Sequence, residues 1–287
     1  NQTVLTSSPF EVDSTAPSAP TLSLQTPQYT TSTAVAFTMS SCSEHFDEIL
    51  INTGSAPSEG DASWQSCNTT SGGITYAIPA TEGPHNLSAW AKDDAGNISA
   101  TSTDFTIYYD VTQPSLNIPN PGILAGNTTY SISWTLTEQY INNTRSFDVD
   151  YWNGSSWQNI ATVAATTGPH TNQSYSTNWT TPGLNRTDIR IRVQITDLAG
   201  NSRTNQSTQF EIDSIFPGLT ISSPAANSYH LSSAVLTGNC ESGLPINFSG
   251  DLQTNFSTTC SGGTYSQTIN FSDNDGTKNI TVDQTDA

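Results

Sequence analysis

A short frame recurs three times in this chain: Asp13-Ser-Thr-Ala-Pro17, Asp110-Val-Thr-Gln-Pro114 and Asp213-Ser-Ile-Phe-Pro217, spaced by 97 and 103 residues. A second mark keeps step with it, as Asp93-Asp-Ala-Gly-Asn97 and Asp197-Leu-Ala-Gly-Asn201, and Asp286 falls where a third copy would begin. Self-similarity at a fixed period restricts the fold more than composition does, because each period must then be one structural unit. A unit of roughly 100 residues is long enough to bury one modest core. The expected division is residues 14–110, 111–213 and 214–287. Residues 1–13 read as the last strand of a preceding unit or as a donor strand.

Strict alternation dominates each unit. Ile189-Arg-Ile-Arg-Val-Gln-Ile195 places four aliphatic residues on one face and Arg190, Arg192 and Gln194 on the other, the pattern of a half-buried strand in an antiparallel sheet. Val35–Met39 and Tyr130–Leu136 read the same way. Phe10-Glu-Val12, Phe105-Thr-Ile107 and Phe210-Glu-Ile212 each lead to a boundary Asp and read as the final strand of a unit. No segment holds a helical period. About seven short strands per hundred residues, separated by turn signals, predict an all-β chain of three tandem immunoglobulin-like sandwiches in an extended rod. The D-x-A-G-N mark lies between strands and predicts a hairpin turn, with Gly96 and Gly200 supplying positive φ. The boundary proline stiffens each entry.

Composition narrows the function classes. Seven Lys and Arg stand against 25 Asp and Glu, a net charge of −18. Nothing there could neutralise phosphates or dock on anionic lipid, which excludes nucleic acid and a lipid-binding surface. No apolar run approaches the roughly 18 residues needed to cross a bilayer. The four cysteines fall as Cys42 and Cys67 in the first unit and Cys240 and Cys260 in the third. Their spacing matches no C-x-x-C pattern, and two within-unit disulfides in an oxidising compartment account for them. Fifteen of 24 Asn occupy N-x-S/T frames, among them Asn68, Asn86, Asn127, Asn178, Asn247 and Asn279. They read either as glycosylation acceptors of a surface protein or as the bias of a Ser/Thr/Asn-rich chain.

The order D-x-x-x-P, cysteine pair, D-x-A-G-N, F-x-I/V-D resembles the tandem Ig-like repeats of large bacterial surface adhesins. Leu236-Thr-Gly-Asn-Cys240 with Cys260-Ser-Gly-Gly-Thr-Tyr265 carries the resemblance furthest. The cysteine-free middle unit, with Ser133-Trp-Thr135 and Tyr151-Trp-Asn-Gly-Ser-Ser-Trp157, is closer to a fibronectin type III-like relative. The resemblance implies an extended stalk or adhesive fibre at the cell surface, without enzymatic activity. Its partners would be further repeats, other copies of the chain, or a surface protein or glycan.

Among candidate sites, calcium at the joints ranks first. The hairpin before the last strand shares a pole with the incoming linker. That pole gathers Asp13 with Asp93, Asp94 and Asn97, Asp110 with Asp197 and Asn201, and Asp213 with Asp286. Such oxygen sets suit a hard cation, although turn geometry alone also calls for Asp and Asn. Trp152 and Trp157 flank a hairpin tip and are candidates for sugar stacking, against ordinary sheet packing. A glycan-binding module of a secreted enzyme is the weaker alternative they raise. His45, His85, His170 and His230 are scattered, with no nucleophile or carboxylate at a recurring spacing, and predict no catalysis.

Residues 1–13 match the registers 97–110 and 201–213, whereas the third unit reaches Asp286 before a strand of that kind. One reading is a window cut from a longer array. The other is head-to-tail strand donation, in which Phe10 and Val12 of one copy complete the third unit of the next and build a filament.

Overall fold

The computed structural model describes residues 3, 6, 10–42 and 46–285. All its regular elements there are strands, and they fall into three sandwiches. The first holds β1 (Leu22–Leu24), β2 (Tyr29–Thr30), β3 (Ala34–Met39), β4 (Glu48–Asn52), β5 (Gln65–Ser66), β6 (Ile74–Ala77), β7 (Gly83–Lys92) and β8 (Thr103–Tyr109). One sheet runs β1-β3-β6 and the facing one β2-β8-β7-β4-β5. Val35, Phe37 and Met39 of β3 are buried while Ala34, Ala36 and Thr38 are not, so alternation on the pleat sets the inner face. Across the sandwich, Ile49, Ile51, Leu87, Ala89 and Ile107 close the core.

The second sandwich comprises β9 (Ser115–Asn117), β10 (Leu124–Ala125), β11 (Thr129–Glu138), β12 (Ser146–Trp152), β13 (Trp157–Ala164), β14 (His170–Thr180), β15 (Arg186–Thr196), β16 (Ser202–Gln206) and β17 (Phe210–Asp213). Its sheets are β14-β11-β9 and β10-β17-β15-β12-β13, with β16 pairing the far part of β15. The predicted strand at 189–195 is the heart of β15, with Ile189, Ile191, Val193 and Ile195 all buried. Eighteen buried hydrophobic residues form this core among the described residues, against eleven and nine in its neighbours. Trp134 lies edge-on to Phe147 at 5.3 Å and Tyr175 packs on Phe147 at 4.6 Å. That larger aromatic core explains how the middle unit holds together without a cross-link.

The third sandwich holds β18 (Ser233–Asn239), β19 (Pro245–Gly250), β20 (Phe256–Thr259), β21 (Thr264–Asn270) and β22 (Ile280–Gln284). The pair β18-β21 faces β20-β19-β22. Cys42–Cys67 and Cys240–Cys260 are disulfide-bonded, and both third-unit cysteines sit in the smallest core.

Sheet order, antiparallel pairing and separate cores make the chain a tandem array of immunoglobulin-like sandwiches. One expectation changes in detail. The hairpin at 197–201 leads first into β16, and the strand that ends at the boundary Asp is β17, which pairs the earlier part of β15. Phe10–Val12 belongs to no strand, and both side chains are exposed. A strand needs a paired edge to satisfy its backbone, and the edge expected for this segment belongs to a preceding unit or to a second copy.

Candidate functional site at the pole between units

The two D-x-A-G-N segments fold alike. Asp93 Oδ1 accepts from the Ala95 and Asn97 amides, and Oδ2 accepts from Asn97 Nδ2 at 3.0 Å. Asp197 Oδ1 accepts from the Gly200 and Asn201 amides, and Oδ2 accepts from Asn201 Nδ2 at 2.9 Å. Gly96 and Gly200 have φ of +91° and +100°, a region that other residues enter at a cost. Both aspartates are buried. Burial pushes the Asp93 carboxyl up, but the bonds from Asn97, Ala95 and Gly96 outweigh it and hold the group below its ordinary range.

The asparagine of each turn also reaches across a boundary. Asn97 Nδ2 donates to the Asp13 carbonyl at 3.2 Å, and Asn201 Nδ2 donates to the Asp110 carbonyl at 3.1 Å. Each boundary Asp closes its own turn, with Oδ1 accepting from the amide of Thr15, Thr112 or Ile215. The recurring D-x-x-x-P and D-x-A-G-N marks are therefore two halves of one joint, at two places along the chain.

The carboxylates themselves do not converge equally. Asp94 is exposed and faces Asp47, whose carboxyl it raises by hydrogen bonding and by its charge. Asp13 is exposed. Asp213 spends Oδ1 on its own turn, and Asp286 lies outside the described residues. At the pole between the first and second sandwiches the arrangement differs. Asp110, Glu138 and Asp197 are all buried, and their carboxylate oxygens lie within 4.8 Å of one another. Asp110 ends the first unit, Glu138 ends β11, and Asp197 opens the turn after β15. Glu138 was not singled out by sequence, because its meaning depends on a turn 59 residues further along the chain.

Electrostatics at this pole is unfavourable as drawn. Among the described residues, no ion pair involves any of the three groups. Burial raises the Glu138 carboxyl to about 7, helped by the charges of Asp197 and Asp110 against the Tyr140 and Gln139 amides. Burial likewise raises Asp110, with Asp197 and Glu82 adding to it and the Thr112 amide opposing. Two carboxylates at this separation repel by about 3 kcal/mol at an effective dielectric constant of about 20. Tyr140 of the second unit packs against Tyr108 and Tyr29 of the first, at 5.4 and 5.7 Å, and walls the site.

The remaining candidates separate cleanly. Asn68, Asn86, Asn127, Asn178, Asn247 and Asn279 are all exposed, as an acceptor asparagine must be. Asn86 and Asn247 are engaged by neighbours, accepting from Thr106 Oγ1 and donating to Asp283 Oδ2. Trp152 and Trp157 pair across the β12–β13 hairpin, half-buried, with ring centroids 5.6 Å apart. The Arg192 guanidinium covers Trp157 at 4.4 Å and is itself held by Asp150, so one face of that ring is occupied.

No protein-family model matches the chain, and no curated protein matches it significantly. Solved structures with a similar fold include a tetra-tandem repeat from the extending region of a large adhesion protein, at 15% identity and a TM-score of 0.36. That match covers 93% of this chain and 74% of the other. An ICAM-5 D1–D4 ectodomain fragment aligns at 14% identity and a TM-score of 0.43, over 92% of this chain and 75% of the other. The chicken CNTN1 FN1–FN3 domains align at 15% identity and a TM-score of 0.29, over 93% of both.

Proposed function

We propose that the chain is a non-enzymatic structural segment of an extracellular adhesive stalk or fibre. The observation that carries this reading is the joint: the same backbone mark that ends one sandwich is gripped by an asparagine of the next. A chain that invests a repeated sequence element in fixing neighbouring units transmits force and sets reach. The within-unit disulfides support an oxidising, extracellular setting. Small-angle scattering of the purified chain tests the extended form. Three sandwiches in line span roughly 100 Å and give a radius of gyration of about 30 Å, whereas a compact globule of this length gives about 19 Å. A value near the compact figure would overturn the stalk.

A second reading, a self-assembling filament, is favoured by the edge of the third sandwich. In the first two, β8 and β17 lie between an antiparallel neighbour and a short parallel strand, β2 or β10. In the third, β22 pairs only β19 among the described residues, and Tyr229 and Leu231 are 100% and 97% exposed. Phe10-Glu-Val-Asp13 repeats the wording of Phe210-Glu-Ile-Asp213 and is 78% and 85% exposed at Phe10 and Val12. In this reading it adds to the open edge of a second copy. Removing residues 1–12 would then turn polymers seen by electron microscopy into monomers. Polymers that survive the deletion, or an intact chain that stays monomeric at high concentration, would exclude it.

A further inference from the structure

Among the described residues, Asp110, Glu138 and Asp197 form a cluster of three acids that could hold a metal ion. At the pole between the first and second sandwiches two independent observations coincide. Three carboxylates from three separate elements approach within 4.8 Å. One of them, Asp110, is only 3% exposed, and its Oδ2 has no hydrogen-bond donor among the described residues. A buried anionic oxygen without a partner is among the costliest features a fold can retain.

The three carboxylates are held in place by amide donors, and Asp197 Oδ2 also accepts from Asn201 Nδ2. Asp110 Oδ1 takes the Thr112 amide, Glu138 Oε1 takes the Tyr140 amide, and Asp197 Oδ1 takes two amides. The backbone bonds orient the carboxylates and neutralise none of them. The titratable groups facing the cluster are Glu82, also an acid, and Tyr140, with Tyr108 and Tyr29 behind it. Among the described residues, no Lys or Arg forms an ion pair with any of the three.

We propose that this pole is a divalent-cation site of calcium type, with Asp110, Glu138 and Asp197 as its carboxylate ligands. Three carboxylate ligands, with water completing a shell of about six to eight oxygens, suit calcium better than magnesium, which demands a tighter octahedron. Because Asp110 belongs to one sandwich and the other two ligands to the next, the ion ties the two units together. The proposal refines the stalk reading but is tested by binding alone, so it can fail while the extended shape measured by scattering stands.

Terbium is the probe. Tyr140 packs beside the cluster and can sensitise a bound lanthanide, so chelator-treated full-length protein should show tyrosine-excited terbium emission that calcium displaces. Titration calorimetry with calcium should give one site per chain. Glu138→Gln and Asp110→Asn keep size and hydrogen-bonding shape, and each should weaken calcium at least tenfold. Asp94→Asn and Asp213→Asn should leave it unchanged. Circular dichroism on every variant shows that the sandwiches remain. No calcium heat and no terbium emission from folded wild-type protein would overturn the site, as would equal binding by wild type and both ligand variants. Loss of binding in Asp94→Asn or Asp213→Asn alone would place the ion elsewhere and likewise overturn it.

Discussion

Asn201 makes two contacts at the joint. Its Nδ2 bridges Asp197 Oδ2 and the Asp110 carbonyl, one contact within a turn and one across units. Replacing it with Ala should cost about 1–2 kcal/mol, since one acceptor is a buried carboxylate, and thermal melting should show the first two units loosening together. Glu138 sets a pH dependence of unusual sign. Its folded-state value of about 7 exceeds its ordinary 4.5, so the folded chain holds a proton that the unfolded chain releases. In chelator, stability is therefore greatest near pH 4.5 and falls as pH rises toward about 7, by up to about 3 kcal/mol. Asp110 shifts in the same direction and adds to the trend. Glu138→Gln should flatten it, and urea melts between pH 5 and 8 would show whether it does. Stability that rises over that interval in wild type would contradict the buried, repelling cluster.

Strands with clean alternation could be read directly, because the pleat converts spacing into burial: Val35, Phe37 and Met39 in β3, or the aliphatics of β15. Short parallel strands such as β2 and β10 could not, since two residues carry no period and their pairing is set by the far end of the unit. Glu138 was illegible for the same reason: a lone acid at a strand end acquires meaning only when a distant turn folds over it. Phe10–Val12 carries the wording of a final strand, and the edge it would pair belongs to a preceding unit or to a second copy. The cysteine pairs were legible from position alone, and they locate a testable asymmetry. Each cross-link closes a loop of 25 or 20 residues, worth about 3 kcal/mol in the chain-entropy model. Reduction should lower the melting of the first and third units and leave the middle one, with its Trp134–Phe147–Tyr175 core, unchanged. Hydrogen exchange read unit by unit would separate the three, and a middle unit that softens with reductant would contradict the core comparison.

At the scale of the whole molecule, each sandwich owns its core, and the strands of one unit pack with strands of the same unit. Units of this kind share load in series and yield one at a time. Between the first and second sandwiches, Asp110 and Asn201 both mark the period and join the units. Stretching single molecules from end to end tests whether the chain is a mechanical series of separately folded sandwiches. Separate force peaks are expected, with the middle unit releasing roughly 350 Å of chain at about 3.4 Å per residue. The first unit should release roughly 80 Å less than its full length while Cys42–Cys67 is intact, and recover that length with reductant. A single rupture that frees the whole chain at once, or extension with no peaks, would contradict it.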